Sequence, residues 1–91
     1  DTITYTTNWF VVTLTSNWSS PTIAGMVAGS SYILEIRQDG TGGRTVTWPS
    51  SVKWTAGAAP TLTTAASGID IVTILYDGTN HYATLALKTA S

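Results

Sequence analysis

The chain has 91 residues, 43% of them hydrophobic and only 10% charged, and four basic against five acidic side chains leave a net charge of −1. With one His and no Cys it has neither a disulfide frame nor a structural zinc site, and it lacks the basic face of an electrostatic nucleic-acid binder. A chain of this length is one small domain with a thin margin of stability.

Solubility falls to the hydroxyls of Thr and Ser, which are abundant from end to end. Thr also suits strands, where its branched Cβ packs on a pleated surface. So sparsely charged an exterior fits a protein whose flanks are covered by copies of itself. No apolar run is long enough to span a bilayer and no signal-peptide pattern opens the chain, so no membrane partner is expected. The first residue is Asp1 and not Met, which leaves open whether the chain is processed or part of something longer.

In residues 1–8, Ile3 and Tyr5 alternate with Thr2, Thr4 and Thr6, which predicts an edge strand or an arm that pairs with a neighbour. Trp9 to Thr15 predicts a strand with Phe10, Val12 and Leu14 on one face and Val11, Thr13 and Thr15 on the other. Ser16-Asn17 and Ser19-Ser20-Pro21 read as turns, and Ile23 to Val27 as a strand fragment before the Ala28-Gly29-Ser30 break. Ser31 to Gln38 predicts a strand that divides Tyr32, Leu34 and Ile36 from Ile33, Glu35 and Arg37. After the turn Asp39-Gly40-Thr41-Gly42-Gly43, Arg44 to Trp48 is expected to run back as the second arm of a hairpin. Pro49 has no backbone donor, so that strand stops there or lies at an edge.

Val52 to Trp54 predicts a brief strand, Thr55 to Pro60 a loop and Ala65 to Gly68 a break. Ile69 to Tyr76 is apolar at positions of both parities, the pattern of a central strand. Asp77-Gly78-Thr79-Asn80 is a hairpin signal, and His81 to Leu87 returns from it with Leu85 and Leu87 on one face. Lys88 to Ser91 reads as a tail. No segment holds a helical period with caps. The sum is one all-β domain over residues 1–91, with seven to nine short strands in an antiparallel β-sandwich or jelly-roll-like barrel. The stretch Gln38 to Pro60 is expected to close it, with Trp48 and Trp54 supplying core.

The acids available for paired-carboxylate chemistry are Glu35, Asp39, Asp70 and Asp77, besides Asp1. Asp39 and Asp77 each precede Gly in a predicted turn, where a short carboxylate bonds its own backbone. Glu35 and Arg37 share a strand face as a solvated pair or an inter-subunit contact. Asp70 opens the central strand and is expected to be buried, accepting backbone or Trp N–H bonds. His81 has no Ser or Cys in a nucleophile motif beside it, and Gly40 to Gly43 lacks the Lys and helix of a phosphate loop. Neither Asp turn has the oxygen spacing of a dedicated calcium site. No catalytic residue, cofactor or metal is expected, and the chain reads as a non-enzyme.

Four tryptophans exceed what so small a core needs. Exposed Trp faces stack on sugar rings or anchor interfaces. Trp9 and Trp18 are therefore candidates for contact with a partner or glycan, the alternative being that both pack against a loop.

One resemblance rests on ordered motifs: Gln38-Asp39, Gly42-Gly43-Arg44, Val46-Thr47-Trp48-Pro49, Val52-Lys53-Trp54 and Ala59-Pro60-Thr61-Leu62. It continues through Ile69-Asp70-Ile71 and Tyr76-Asp77-Gly78-Thr79-Asn80, with Leu14 to Asn17 and Gly29 to Tyr32 in place upstream. In this order and spacing they resemble a domain of tailed-bacteriophage virion proteins, notably tail fibres and other appendages. The chain departs from that pattern at Ala56-Gly57-Ala58-Ala59, where the family tends to a double glycine, and at Ala83, where Gly usually follows the aromatic. The resemblance implies a structural module at the virion surface, in a tail fibre or appendage or as a capsid decoration, and brings no catalytic residues. Its implied partners are other virion proteins and its own copies, symmetric fibres being commonly trimeric. The alternative is a host-surface carbohydrate-binding, receptor-binding module that uses Trp9 or Trp18.

Overall fold

A computed structural model of the protein describes residues 2–54 and 57–90. Among them are nine strands and no α-helix: β1 (Thr2–Thr4), β2 (Trp9–Leu14), β3 (Trp18–Ser19), β4 (Thr22–Ala24), β5 (Ser30–Gln38), β6 (Val46–Thr47), β7 (Val52–Trp54), β8 (Ile69–Tyr76) and β9 (His81–Ala90). The long strands β5 and β8 are rich in Ile, Val, Tyr and Thr, which fit a pleated surface. Five strands form one sheet in the order β2-β5-β8-β9-β7, and β1-β4 and β3-β6 form two separate ladders.

Register decides which side chains share a face. Phe10 lies beside Leu34, Leu34 beside Val72, and Val72 beside Leu85. Tyr32, Ile74 and Ala83 make a parallel row. These residues form the core with Ile3, Tyr5, Leu14 and Leu62, and Trp18, Ile23 and Val46 pack against it. Both small ladders thus lie over one face of the large sheet, in the two-layer, sandwich-like arrangement expected of an all-β chain. β8 is the middle strand, as its composition predicts.

Strand direction differs from the antiparallel expectation. Only β5-β8 and β8-β9 are antiparallel; β2-β5, β7-β9, β1-β4 and β3-β6 are parallel. Side-chain alternation has period two in either direction, so it carries no information on this point. Connectivity does: parallel neighbours need a long crossover, and between β2 and β5 the chain leaves the sheet to build β3 and β4 in the second layer.

The expected hairpin between β5 and Arg44 to Trp48 does not form. β6 pairs with β3 instead, and Trp18 to Ser19 is a strand where a turn is predicted. The Gln38 side chain occupies the place a hairpin partner would take. Its Oε1 accepts from the Arg44 backbone N–H at 3.0 Å, and its Nε2 donates to the Arg44 and Thr63 carbonyls at 2.8 and 2.9 Å. With Arg44 satisfied in this way, the chain turns out of the sheet. Gly42 makes that turn possible: its φ is +74°, and a Cβ there would sit 2.5 Å from the Thr64 carbonyl oxygen.

Of the two expectations for the opening segment, the structure shows the edge strand: β1 pairs with β4, and Ile3 and Tyr5 are buried in the core. Two smaller corrections follow from long-range contacts. Lys88 to Ala90 extends β9 and is not a tail. A register shift against β8 sets Leu85 beside Val72 but Leu87 beside Ile71, so these two leucines face opposite ways. The predicted loop from Thr55 to Pro60 has its first two positions, Thr55 and Ala56, outside the described residues.

Candidate functional site

Each described acid is held by its own surroundings. Asp70, 2% exposed at the start of β8, accepts from the Thr63 N–H at 2.7 Å and from the Thr63 hydroxyl at 2.8 Å. Asp39 accepts from the backbone of Thr41 and Gly42, and its other oxygen meets Arg44 at 3.0 Å. The Arg44 bond and the Gly42 N–H hold its carboxyl below the usual carboxylate range. Asp77 closes the β8-β9 hairpin, accepting from the N–H groups of Asn80 and Thr79, which lower its pKa in the same way. Glu35 accepts from the Trp9 indole N–H at 3.2 Å and from Arg37 Nε at 2.6 Å. Asp1 lies outside the described residues.

His81 opens β9, largely buried, with its ring stacked on Tyr76 at 4.7 Å between centroids. Burial lowers its pKa, against a smaller opposing pull from Asp77. Its Nδ1 has no hydrogen-bond partner among the described residues, so the neutral ring fits this place and the charged ring does not. Tyr5, buried against Tyr32, has its phenol pushed well above the usual range, chiefly by desolvation. Among the described residues no group of three or more His, Cys, Asp or Glu could hold a metal.

The four tryptophans divide between the two sides. Trp48 and Trp54 meet edge to face at 5.1 Å, each half-buried against the core, and Trp18 packs there too. Trp9 lies on the other face of the sheet, 49% exposed, tethered by its N–H to Glu35. Of the two predicted contact residues, only Trp9 presents a large free surface, and the structure does not bring Trp9 and Trp18 to one site.

Two surface features remain. A shallow cleft of about 570 Å³ lies beside the opening of β5, lined by Thr6, Thr7, Asn8, Ser30 and Ser31 among others. The second is the outer face of the five-stranded sheet, where Trp9, Val11, Leu75, Tyr82 and Leu87 are large, apolar and exposed. Of the residues on this face, sequence inspection singled out Trp9 and the pair Glu35 and Arg37. For Leu75 the signal was the apolar character of both parities in β8, which was read only as the mark of a central strand.

A family model described as "Putative phage tail fibre C-terminal domain" matches residues 2–81. The chain belongs to this family. No curated protein and no solved structure matches it. The match runs from β1 through the β8-β9 hairpin, so the tail fibre domain comprises both ladders and most of the large sheet. Membership makes the chain a structural appendage protein of the phage virion, associated with other virion proteins. The bonded acids accord with a domain whose polar groups hold turns and strand ends in place.

Proposed function

We propose that this tail fibre domain is a non-enzymatic structural module at the surface of the particle, which assembles with its own copies as a homotrimer. The observation that carries the proposal is the family match over residues 2–81, which favours a tail appendage over a capsid decoration. The absence of chemistry is supported by the acids: each described carboxylate already accepts structural hydrogen bonds. Self-assembly is supported by the low charge and by an apolar sheet face that no segment of the described chain covers. Light scattering tests it: the expected mass is about three times the 9.6 kDa chain. A monomer at high micromolar concentration would refute self-assembly, and labelling of virions away from the tail would refute the appendage position.

The second reading, recognition of host-surface carbohydrate, is favoured by one observation. The surface cleft is lined by the hydroxyls and amide of Thr6, Thr7, Asn8, Ser30 and Ser31, groups of the kind that hydrogen-bond sugars, and Trp9, which follows Asn8 in the chain, is 49% exposed. A host-glycan array, repeated with Trp9→Ala and Trp18→Ala, decides it. Binding lost with Trp9 supports this reading; no binding to any host glycan rejects it.

A further inference from the structure

We propose that the free edge of β2 receives an extended strand of a neighbouring virion protein, which joins the large sheet as a further strand. The inference rests on the structural role proposed above and adds the element through which the module is held. β2 ends the order β2-β5-β8-β9-β7, so among the described residues its one ladder partner is β5. The Asn8 carbonyl accepts from the Ile33 N–H at 2.8 Å, which fixes the side toward which each backbone group points. Alternate residues of a strand point theirs the same way, so Phe10, Val12 and Leu14 address β5. Val11 and Thr13 turn their N–H and C=O groups out of the sheet. Thr7 closes this run at its start, its hydroxyl donating to the Trp9 carbonyl at 3.3 Å and accepting from the Trp9 N–H at 3.5 Å.

The opposite edge of the sheet is guarded, and β2 is not. β7 has three residues and carries Lys53, a residue type that discourages strand addition. Its first outward amide, at Val52, donates to the Pro49 carbonyl at 3.1 Å. β2 has six residues, with no charge and no Pro among them and an unbroken register to β5. Its outward donors and acceptors recur at every second residue, which is the spacing of another strand's own groups. Main-chain bonds of this kind hold an added strand, and alternate side chains select it.

Side chains set the chemistry of the occupant. Phe10 and Val12 pack against the core but are only partly buried. An incoming strand with apolar residues at alternate positions would complete their cover, so it is apolar on the core side. Topology sets its source. β5, β8 and β9 each have a neighbour on both sides, so a second copy has only its own β2 to offer to this edge as a strand of comparable length. That pairing is two-fold and closes on two chains, not on the three proposed above. A different virion protein is free of this restriction, and the family associates the chain with such proteins.

Hydrogen exchange and a proline test this. In the isolated chain the Val11 and Thr13 amides should exchange freely while those of Phe10 and Val12 are protected. In assembled particles the first two should slow by about a hundredfold or more. Thr13→Pro removes an outward donor and leaves the β2-β5 ladder intact, since proline is tolerated where the N–H faces away from the sheet. Particles grown with that variant should carry about tenfold less of the chain, as the loss of one hydrogen bond implies, whereas Thr13→Val should be incorporated normally. Equal exchange in chain and particle would overturn the added strand, as would normal incorporation of a Thr13→Pro chain with unchanged circular dichroism. Protection of Val11 and Thr13 already in the isolated chain would overturn the choice of partner, because a second copy then fills the edge. Should Thr13→Pro fail to fold, the exchange comparison decides. The trimer is judged separately, by the light scattering described above.

Discussion

The two faces of the five-stranded sheet are made by the same strands and both carry large apolar side chains, yet the chain covers only one of them. On the inner face Leu34 and Val72 are fully buried beneath the small ladders. On the outer face Leu75, on the same strand as Val72, is 52% exposed. An apolar side chain stabilises a fold only to the extent that folding removes it from water. The inner residues therefore account for the stability of the monomer. The outer ones contribute little to it and become useful when something docks. Residue type alone does not separate the roles; cover does.

The contrast can be broken most forcefully at Leu34. Leu34→Ala deletes a fully buried side chain and should cost roughly 3–5 kcal/mol, a large fraction of a small domain's stability. Urea denaturation measures it, and a loss under about 1 kcal/mol would show that the inner face is not the core. Gln38→Ala tests the covering layer. It leaves the Arg44 backbone and the Thr63 carbonyl without their partner, and should cost roughly 3 kcal/mol. An unchanged urea midpoint would mean that β6 stays in place without this clamp.

A pH series reports on the inner edge at His81. Because burial lowers its pKa from 6.5, the unfolded chain binds the proton more readily than the folded one. Stability should be flat above about pH 7.5 and fall as pH drops through about 6.5, and His81→Gln should flatten that window. Asp39 and Asp77 act separately. With pKa values held below 3.8, their contribution is lost only as pH falls beneath that value, in wild type and variant alike. A wild-type thermal midpoint that does not change between pH 7.5 and 5 would contradict the burial of a neutral His81.

The smallest expected effect is the sharpest test of the comparison. Leu75→Ala, a truncation of the same kind as Leu34→Ala, should shift monomer stability by about 0.5 kcal/mol or less. Measured at dilution in urea, a cost near that of Leu34→Ala would mean that the outer face is covered within the chain.

Much of the fold was legible residue by residue. The two-face division of Trp9 to Thr15 and of Ser31 to Gln38 marked strands, and Asp77-Gly78-Thr79-Asn80 marked the one predicted hairpin that forms. The Asx turns at Asp39 and Asp77 were readable because each carboxylate bonds N–H groups only two and three residues away. The motifs from Gln38 to Asn80 pointed to the phage tail fibre family that the chain belongs to. These signals are local, and so the sequence by itself determined the long strands, the two Asp turns and the family.

Tertiary structure decided the rest. Parallel pairing in β2-β5 and β7-β9 depends on where a crossover returns, which alternation of period two leaves undetermined. Gln38 became a clamp because Arg44 and Thr63, 6 and 25 residues away, converge on one side chain. Leu87 changed faces because one register shift in β9 reverses every position beyond it. Which apolar face is closed, and which stays open for a partner, was settled by where two short ladders came to rest. That is a property of the folded chain, because the cover over β5 and β8 comes from residues distant in sequence.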